Sequence, residues 1–279
     1  MKAIDVCYGC LDRLVRQAAR LATDDASLRA RAIAEGLKLL EAEFSPNKTT
    51  IYVATLLHRT VREVIGNPDP YRRSKDKEAD IARQIFGNLA PADDLALKEC
   101  LLLAVRGNAI DFFRDLDTIR EDLKTPAELS HDDTYLLERK LVVAKSILYL
   151  ADNAGEVFFD LPLIKKLGEY APVTLAVKPS PVQNDLTAED KSRFGLDGAL
   201  PPLITTGTDT PGVDMSLASA EFKSAFARAN LVLAKGMGHW EGLSELPPEG
   251  KVFYLLKAKC QPVADSLGVP LDSNLALLR

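Results

Sequence analysis

The chain has 279 residues, 47% of them hydrophobic and 27% charged, with a net charge of -5. The length allows a sizeable core in one large or two modest domains, and the acidic balance argues against a nucleic-acid surface. No apolar run approaches the roughly 20 residues that span a bilayer, the N-terminus lacks the apolar stretch of a signal peptide, and four cysteines are too few for a disulfide scaffold. The expectation is a cytoplasmic enzyme with no membrane or nucleic-acid partner.

Residues 1–140 read as helices. Leu11, Leu14, Val15, Ala18 and Ala22 fall at helical spacing on the first. Thr23-Asp24-Asp25-Ala-Ser27 breaks it and offers caps for a second, which runs through Ala32, Leu37 and Leu40. Ser45-Pro46-Asn47-Lys48 is the next stop. A third helix spans Ile51 to Ile65 and is closed by Gly66-Asn67-Pro68-Asp69-Pro70. Further helices are expected over 75–86, 93–107 and from Pro126 onward, with no strand among them.

Residues 141–279 follow a different grammar. Strand-like runs at 146–151, 173–177, 231–234 and 252–256 alternate with helical segments at 157–170, 187–194 and 218–229. Alternation of this kind implies βαβ units and a largely parallel sheet. The expected fold is α/β: a helical N-terminal part packed on a three-layer C-terminal α/β domain.

Polar residues cluster where the strand-like runs end. The first run leads into Asp152-Asn153-Ala-Gly155-Glu156, and the second into Lys178 through Asn184-Asp185-Leu-Thr187-Ala-Glu-Asp190. The third leads into Lys235-Gly236-Met-Gly238-His239-Trp-Glu241. In a parallel sheet these tips share one edge and can converge on one crevice. Each also has a plainer reading: a helix cap, a turn with its cap, or a glycine turn. Asp152, Asn153 and Asp185 offer adjacent oxygen donors for one divalent cation, which would keep waters and take a substrate phosphate as a further ligand. Lys235 is a point charge suited to that phosphate, and Gly236 and Gly238 let backbone N–H groups approach it. Together these parts point to phosphoryl transfer.

The three blocks resemble the signature blocks of the damage-control phosphatase family, also described as domain of unknown function 89 or the acidic-residue methyltransferase-like metal-binding domain. Cys7-Tyr-Gly-Cys10 resembles the N-terminal Cys-x-x-Cys of its microbial subfamily. Gly66-Asn-Pro-Asp-Pro-Tyr71, Gly107-Asn-Ala-Ile-Asp111 and Leu256-Lys-Ala-Lys-Cys260 also look familiar. The resemblance implies metal-dependent hydrolysis of small phosphorylated metabolites, sugar phosphates or damaged ones. It implies that Asp152, Asn153 and Asp185 bind Mg, Mn, Co or Ni and, with Lys235, form the catalytic set. Glu156, Asn184, Thr187 and Asn108 are expected around the substrate with Lys235, Gly236, Gly238 and His239. The chain departs from the family at His239, where the third block usually carries Asn; the imidazole adds a titratable group there.

Cys7 and Cys10 have metal-ligand spacing but no second pair. They read as packing, as a second metal or redox site, or as substrate contacts. Cys100 and His58 read as core, and His131 as a solvated helix start. Asn108 and Asp111 either cap local backbone or line the crevice, and Arg72 and Lys75 are candidate substrate-facing charges. Two other readings compete with the phosphatase: a metal- or metabolite-binding regulator without turnover, and a carboxyl methyltransferase. The second needs a glycine-rich nucleotide loop after the first strand, which Asp-Asn-Ala-Gly matches poorly.

Overall fold

The computed structural model describes residues 1–92, 94–110 and 114–279. Helices α1 (Asp5–Ala22), α2 (Ala26–Glu43) and α3 (Thr50–Ile65) stand where the apolar spacing puts them. Asp25 caps α2 by accepting from the N–H groups of Ser27 and Leu28 at 2.8 and 2.9 Å. Gly66, at φ +75, ends α3 in the left-handed region that glycine tolerates. The inward faces of these helices, including Val15, Ala32, Leu40 and Leu57, close into a core of their own.

Helices α4 (Arg72–Leu89), α5 (Leu97–Gly107), α6 (Leu116–Lys124) and α7 (Thr134–Val143) follow. Helix α6 was not expected; of its 9 residues only Ile119 and Leu123 are buried, a single i, i+4 pair. The helix expected from Pro126 begins only at Thr134. A two-residue strand, β1 (His131–Asp132), precedes it and pairs with the far end of the chain.

Strand β2 (Ile147–Leu150) runs through a single 3-10 turn (Ala154–Glu156) into α8 (Val157–Gly168), and β3 (Val173–Val177) leads to α9 (Ala188–Arg193). Next come β4 (Leu203–Thr205), α10 (Ala220–Arg228), β5 (Leu231–Lys235) and α11 (Gly236–Leu243). The chain closes with β6 (Val252–Lys257), α12 (Gln261–Leu267) and β7 (Asn274–Leu278). Strand β4 and helices α11 and α12 were missed, being short and without a marked period; β7 was missed although it is as long as β3 and β5. The glycine loop expected after β5 is the start of α11.

The sheet order is β1-β7-β6-β5-β2-β3-β4, and the β6–β7 pair is antiparallel among otherwise parallel neighbours. Pleating separates its two faces. Ile147, Tyr149, Leu231 and Leu233 turn to a core shared with α4–α8. Leu148, Leu150, Val232 and Ala234 turn to one shared with α10–α12. The chain therefore adopts the expected α/β fold, with helices on both faces of a mostly parallel sheet. Its cores do not divide at residue 140, because α4–α7 pack on the sheet and only α1–α3 form a separate cluster. No helix among the described residues is long and apolar enough to cross a membrane.

Candidate active site at the strand ends

Strand β2 lies between β3 and β5. The chain moves outward from β2 through β3 to β4, then returns to the other side of β2 as β5. That reversal is the switch point where open α/β sheets leave a crevice at the carboxyl ends of their strands. Asp152 and Asn153 follow β2 at this point. The segment after β3 folds back so that Asn153 and Asp185 form a backbone bridge. The Leu186 N–H donates to the Asp152 carbonyl and the Ala154 N–H to the Asn184 carbonyl, both at 2.8 Å. The turn delivering Asp185 holds Gln183 at φ 46, left-handed backbone that a non-glycine residue rarely adopts.

A cavity of about 440 Å³ opens over these tips. Asp152, Asn153, Asp185, Gly238 and Lys259 line one side. Val6, Leu11, Leu14, Ile51 and Ala54 from α1 and α3 form an apolar wall, and Arg13, Cys7, Cys10 and Cys260 also line the cavity. Helix α3 holds this wall in place. Arg59 and Arg62 both pair with Asp209, and Arg62 donates to the Pro181 carbonyl at 2.6 Å. Thr50 donates to Glu241 at 2.5 Å.

Asp152 and Asp185 are both surrounded by protein, and both carboxyls are pushed up from the usual range by burial. For Asp152 the charges of Glu156 and Asp185 add to the effect; for Asp185, Lys178 and Lys75 oppose it. Asp185 Oδ2 has no hydrogen-bond partner among the described residues; Lys178 Nζ stands 3.5 Å away, an ion-pair contact. Gly236, at φ +76, lies so close to Asp152 that a Cβ there would meet its Oδ2 at 1.9 Å. Glycine is required both for the backbone and for the space. Asn153 points its nitrogen at Glu156 Oε1 at 2.7 Å, Asp152 Oδ2 at 3.3 Å and the Ile110 carbonyl at 3.4 Å. This orientation, assigned from the hydrogen-bond pattern, leaves its carbonyl oxygen for the cavity.

Lys235 departs most from expectation. Its ammonium is fully buried and donates to Glu156 Oε2 and Asp160 Oδ1 at 2.8 Å and to the Ala104 carbonyl at 2.9 Å. Its three protons are all engaged, and it is not among the residues lining the cavity. Burial lowers its pKa, but Asp160 and Glu156 outweigh that and raise it. Burial pushes the Asp160 carboxyl up to about 6 despite Lys235.

Other expected contacts are turned inward as well. Asn184 is fully buried and donates to Glu78 Oε2 at 2.7 Å. Thr187 caps α9, its hydroxyl 2.9 Å from Asp190. Lys75 pairs with Asp190 at 3.0 Å in the interior, and Arg72 pairs with Glu189 at 3.1 Å. Asn108 is the C-cap of α5; its amide is buried with no hydrogen-bond partner among the described residues. Asp111 lies outside the described residues. Gly238 does line the cavity, against Gly212. Cys7 and Cys10 also line it, and burial raises both thiols, which makes them weaker nucleophiles. Cys100 and His58 are buried as expected. His131 is on β1, with its ring 3.1 Å from Asp133.

The residues missed are Lys178, Gln183, Lys259 and Cys260. Lys259 had a signal, the Leu256-Lys-Ala-Lys-Cys260 stretch. Its ammonium lines the cavity, donates to the Ile110 carbonyl at 2.9 Å and lowers the pKa of Asp152. Lys178 is buried behind Asp185, donates to the Gly212 carbonyl and has its pKa lowered by burial. Lys178 had no such signal, since nothing in a single sequence separates it from a surface lysine.

The donor set suits a hard divalent cation. It offers two crowded carboxylates whose charge a cation would neutralise, an amide oxygen and an unsatisfied buried carboxylate oxygen. Among the described residues no three His, Cys, Asp or Glu gather to hold a metal ion alone. An ion held by these side chains would keep waters and leave a position for a further ligand.

His239 is buried, with Nδ1 2.6 Å from the Lys235 carbonyl, so that nitrogen carries the proton. Burial and the charge of Lys178 lower its pKa to about 3. An unfolded histidine titrates near about 6.5. The neutral ring therefore gives its full stability above about pH 6.5, and this is lost as pH falls toward 3, by up to about 1.4 kcal/mol per pH unit. Urea unfolding of His239→Asn should show a shallower loss than wild type between pH 6.5 and 4. Parallel profiles would mean that the ring takes up its proton without disturbing the fold.

A family model described as the damage-control phosphatase ARMT1-like domain matches residues 3–275. A protein named damage-control phosphatase PH1575, from Pyrococcus horikoshii, is 36% identical over 278 residues, covering 97% of this chain and 96% of its own. One named damage-control phosphatase, from Archaeoglobus fulgidus, is 32% identical over 295 residues, 99% of each chain. The crystal structure of a duf89 family protein from Pyrococcus horikoshii matches with a TM-score of 0.90 at 34% identity, covering 100% of this chain and 99% of that one.

Proposed function

Because this chain belongs to the damage-control phosphatase ARMT1-like family, we propose that it is a metal-dependent phosphatase acting on small phosphorylated metabolites. Family membership and the names of its relatives support a phosphatase role in general. The observation carrying the finer reading is the pair of crowded carboxylates, Asp152 and Asp185, which line one cavity beside Asn153, itself bridged to Asp185.

A divalent cation held by these three side chains would neutralise phosphoryl charge and lower the pKa of the attacking water. Asp152 and Asp185 supply the negative charge that retains it, and Asn153 a neutral oxygen. Lys259, rather than the buried Lys235, is the cation facing the substrate phosphate. No side chain caps α11, so the N–H groups of its first turn, next to Asp152, also suit an anion. Water attacks phosphorus in line and the ester oxygen leaves, so the protein's work is positioning and charge stabilisation. The α1 and α3 wall offers the ester's body a largely apolar surface.

The test is phosphate release by chelator-stripped protein resupplied separately with Mg, Mn, Co or Ni. Metal-restored hydrolysis is expected, with a lower KM for an aryl phosphate than for a sugar phosphate of similar size. Lys259→Met should raise KM for both. Metal binding with no phosphate release from any ester would leave the regulator reading in its place.

A further inference from the structure

We infer that Glu156 and Lys235 are positioning residues that fix which atom of Asn153 faces the metal; this rests on the metal-site reading above. Asn153 can turn either its oxygen or its nitrogen toward the cavity, and only the oxygen binds a cation. Three acceptors favour the nitrogen facing inward, and Glu156, at 2.7 Å against 3.3 Å for Asp152 and 3.4 Å for the Ile110 carbonyl, is the closest of them. One of its oxygens accepts from the Asn153 amide at 2.7 Å and the other from Lys235 at 2.8 Å. Lys235 is tied in turn to Asp160 on α8 and to the Ala104 carbonyl on α5. Glu156 itself sits in the 3-10 turn three residues after Asn153, pressed against α5, where a Cβ on Gly107 would meet its Cβ at 3.3 Å. An ionised carboxylate has no proton to give an amide oxygen, and with its other oxygen taken by the Lys235 ammonium it can face only the Asn153 nitrogen. Lys235 thus serves the site through Glu156 and Asn153 without touching substrate. Groups that orient a ligand in this way are commonly worth roughly 10- to 100-fold in metal affinity.

Glu156→Gln keeps the shape and removes one acceptor. Its amide nitrogen must face either the Lys235 ammonium or the Asn153 nitrogen. The second is the smaller conflict, and it is relieved when Asn153 turns over and presents nitrogen to the cavity. Adding Asn153→Asp reverses the hydrogen bond: Gln at 156 donates to Asp at 153, still accepts from Lys235, and the summed charge of the two positions is unchanged.

The experiment is calorimetric titration of the stripped full chain with Mn2+, with melting temperatures recorded alongside. The expected result is a roughly 10- to 100-fold weaker Kd for Glu156→Gln and recovery in Glu156→Gln/Asn153→Asp. Wild type that binds Mn2+ no more tightly than Asp185→Asn would overturn the site reading and this inference with it. Wild-type binding with an unchanged Kd in Glu156→Gln overturns the inference alone. So does weaker binding that the double substitution fails to recover. Should Glu156→Gln fail to fold, the double variant decides by itself, because a folded double variant that does not bind Mn2+ contradicts the inference.

Discussion

Asp185→Asn is expected to reduce turnover by roughly a hundredfold or more while leaving the metal-free melting temperature unchanged or higher. The two effects share one cause. Burial raises the Asp185 carboxyl, and that of Asp152 is raised by burial, Glu156 and Asp185. Both acids are more easily ionised in the unfolded chain, so their charged forms weaken the metal-free fold above the usual carboxylate range and this penalty fades as pH falls. Removing one charge relieves the pair, and Asp185 Oδ2 has no hydrogen-bond partner among the described residues to lose. Phosphate release and a metal-free thermal melt on the same preparation test the idea. Retained turnover would end the metal assignment; a large fall in melting temperature would show that Asp185 is structural, its ion pair with Lys178 outweighing the repulsion.

Lys235→Met should act in the opposite sense, on stability first. It would leave Glu156 and Asp160 buried without their cation, and breaking a buried pair in this way costs about 3–5 kcal/mol. A chemical denaturation midpoint measures this directly. A phosphate-binding lysine behaves differently: its loss raises KM and leaves the midpoint almost untouched. That second outcome would make Lys235, and not Lys259, the cation that meets the substrate phosphate.

The contrast shows how much of the site could be read from the sequence. Strand β3 was bounded to the residue, and β2, β5 and β6 to within one, because buried strands are short apolar runs that end abruptly in polar residues. The polar tips marked the edge for the same reason. Which way each side chain turns was not readable. Lys235, Asn184 and Thr187 all sit at strand tips or just beyond them, yet their partners are Asp160, Glu78 and Asp190. Asp190 is three residues from Thr187 and could be guessed as a cap. Glu78 is 106 residues from Asn184, and Asp160 is 75 from Lys235. Contacts of that range are made by tertiary packing and leave no local pattern. The short strands β1 and β4 failed for a related reason, since two or three residues carry no period.

The floor and the wall of the cavity belong to different cores. Asp152, Asn153 and Asp185 are anchored in the sheet, whereas Leu11, Leu14 and Ala54 are part of the cluster that α1–α3 close among themselves. Substitutions along the inner surface of α1 or α3 can therefore reshape the space above the acids while the packing that aligns those acids is untouched. Under the proposed function, a lineage carrying this architecture would drift from one phosphate ester to another without rebuilding its reaction chemistry. Chimeras that exchange the first three helices between relatives should carry selectivity with the helices and metal preference with the sheet.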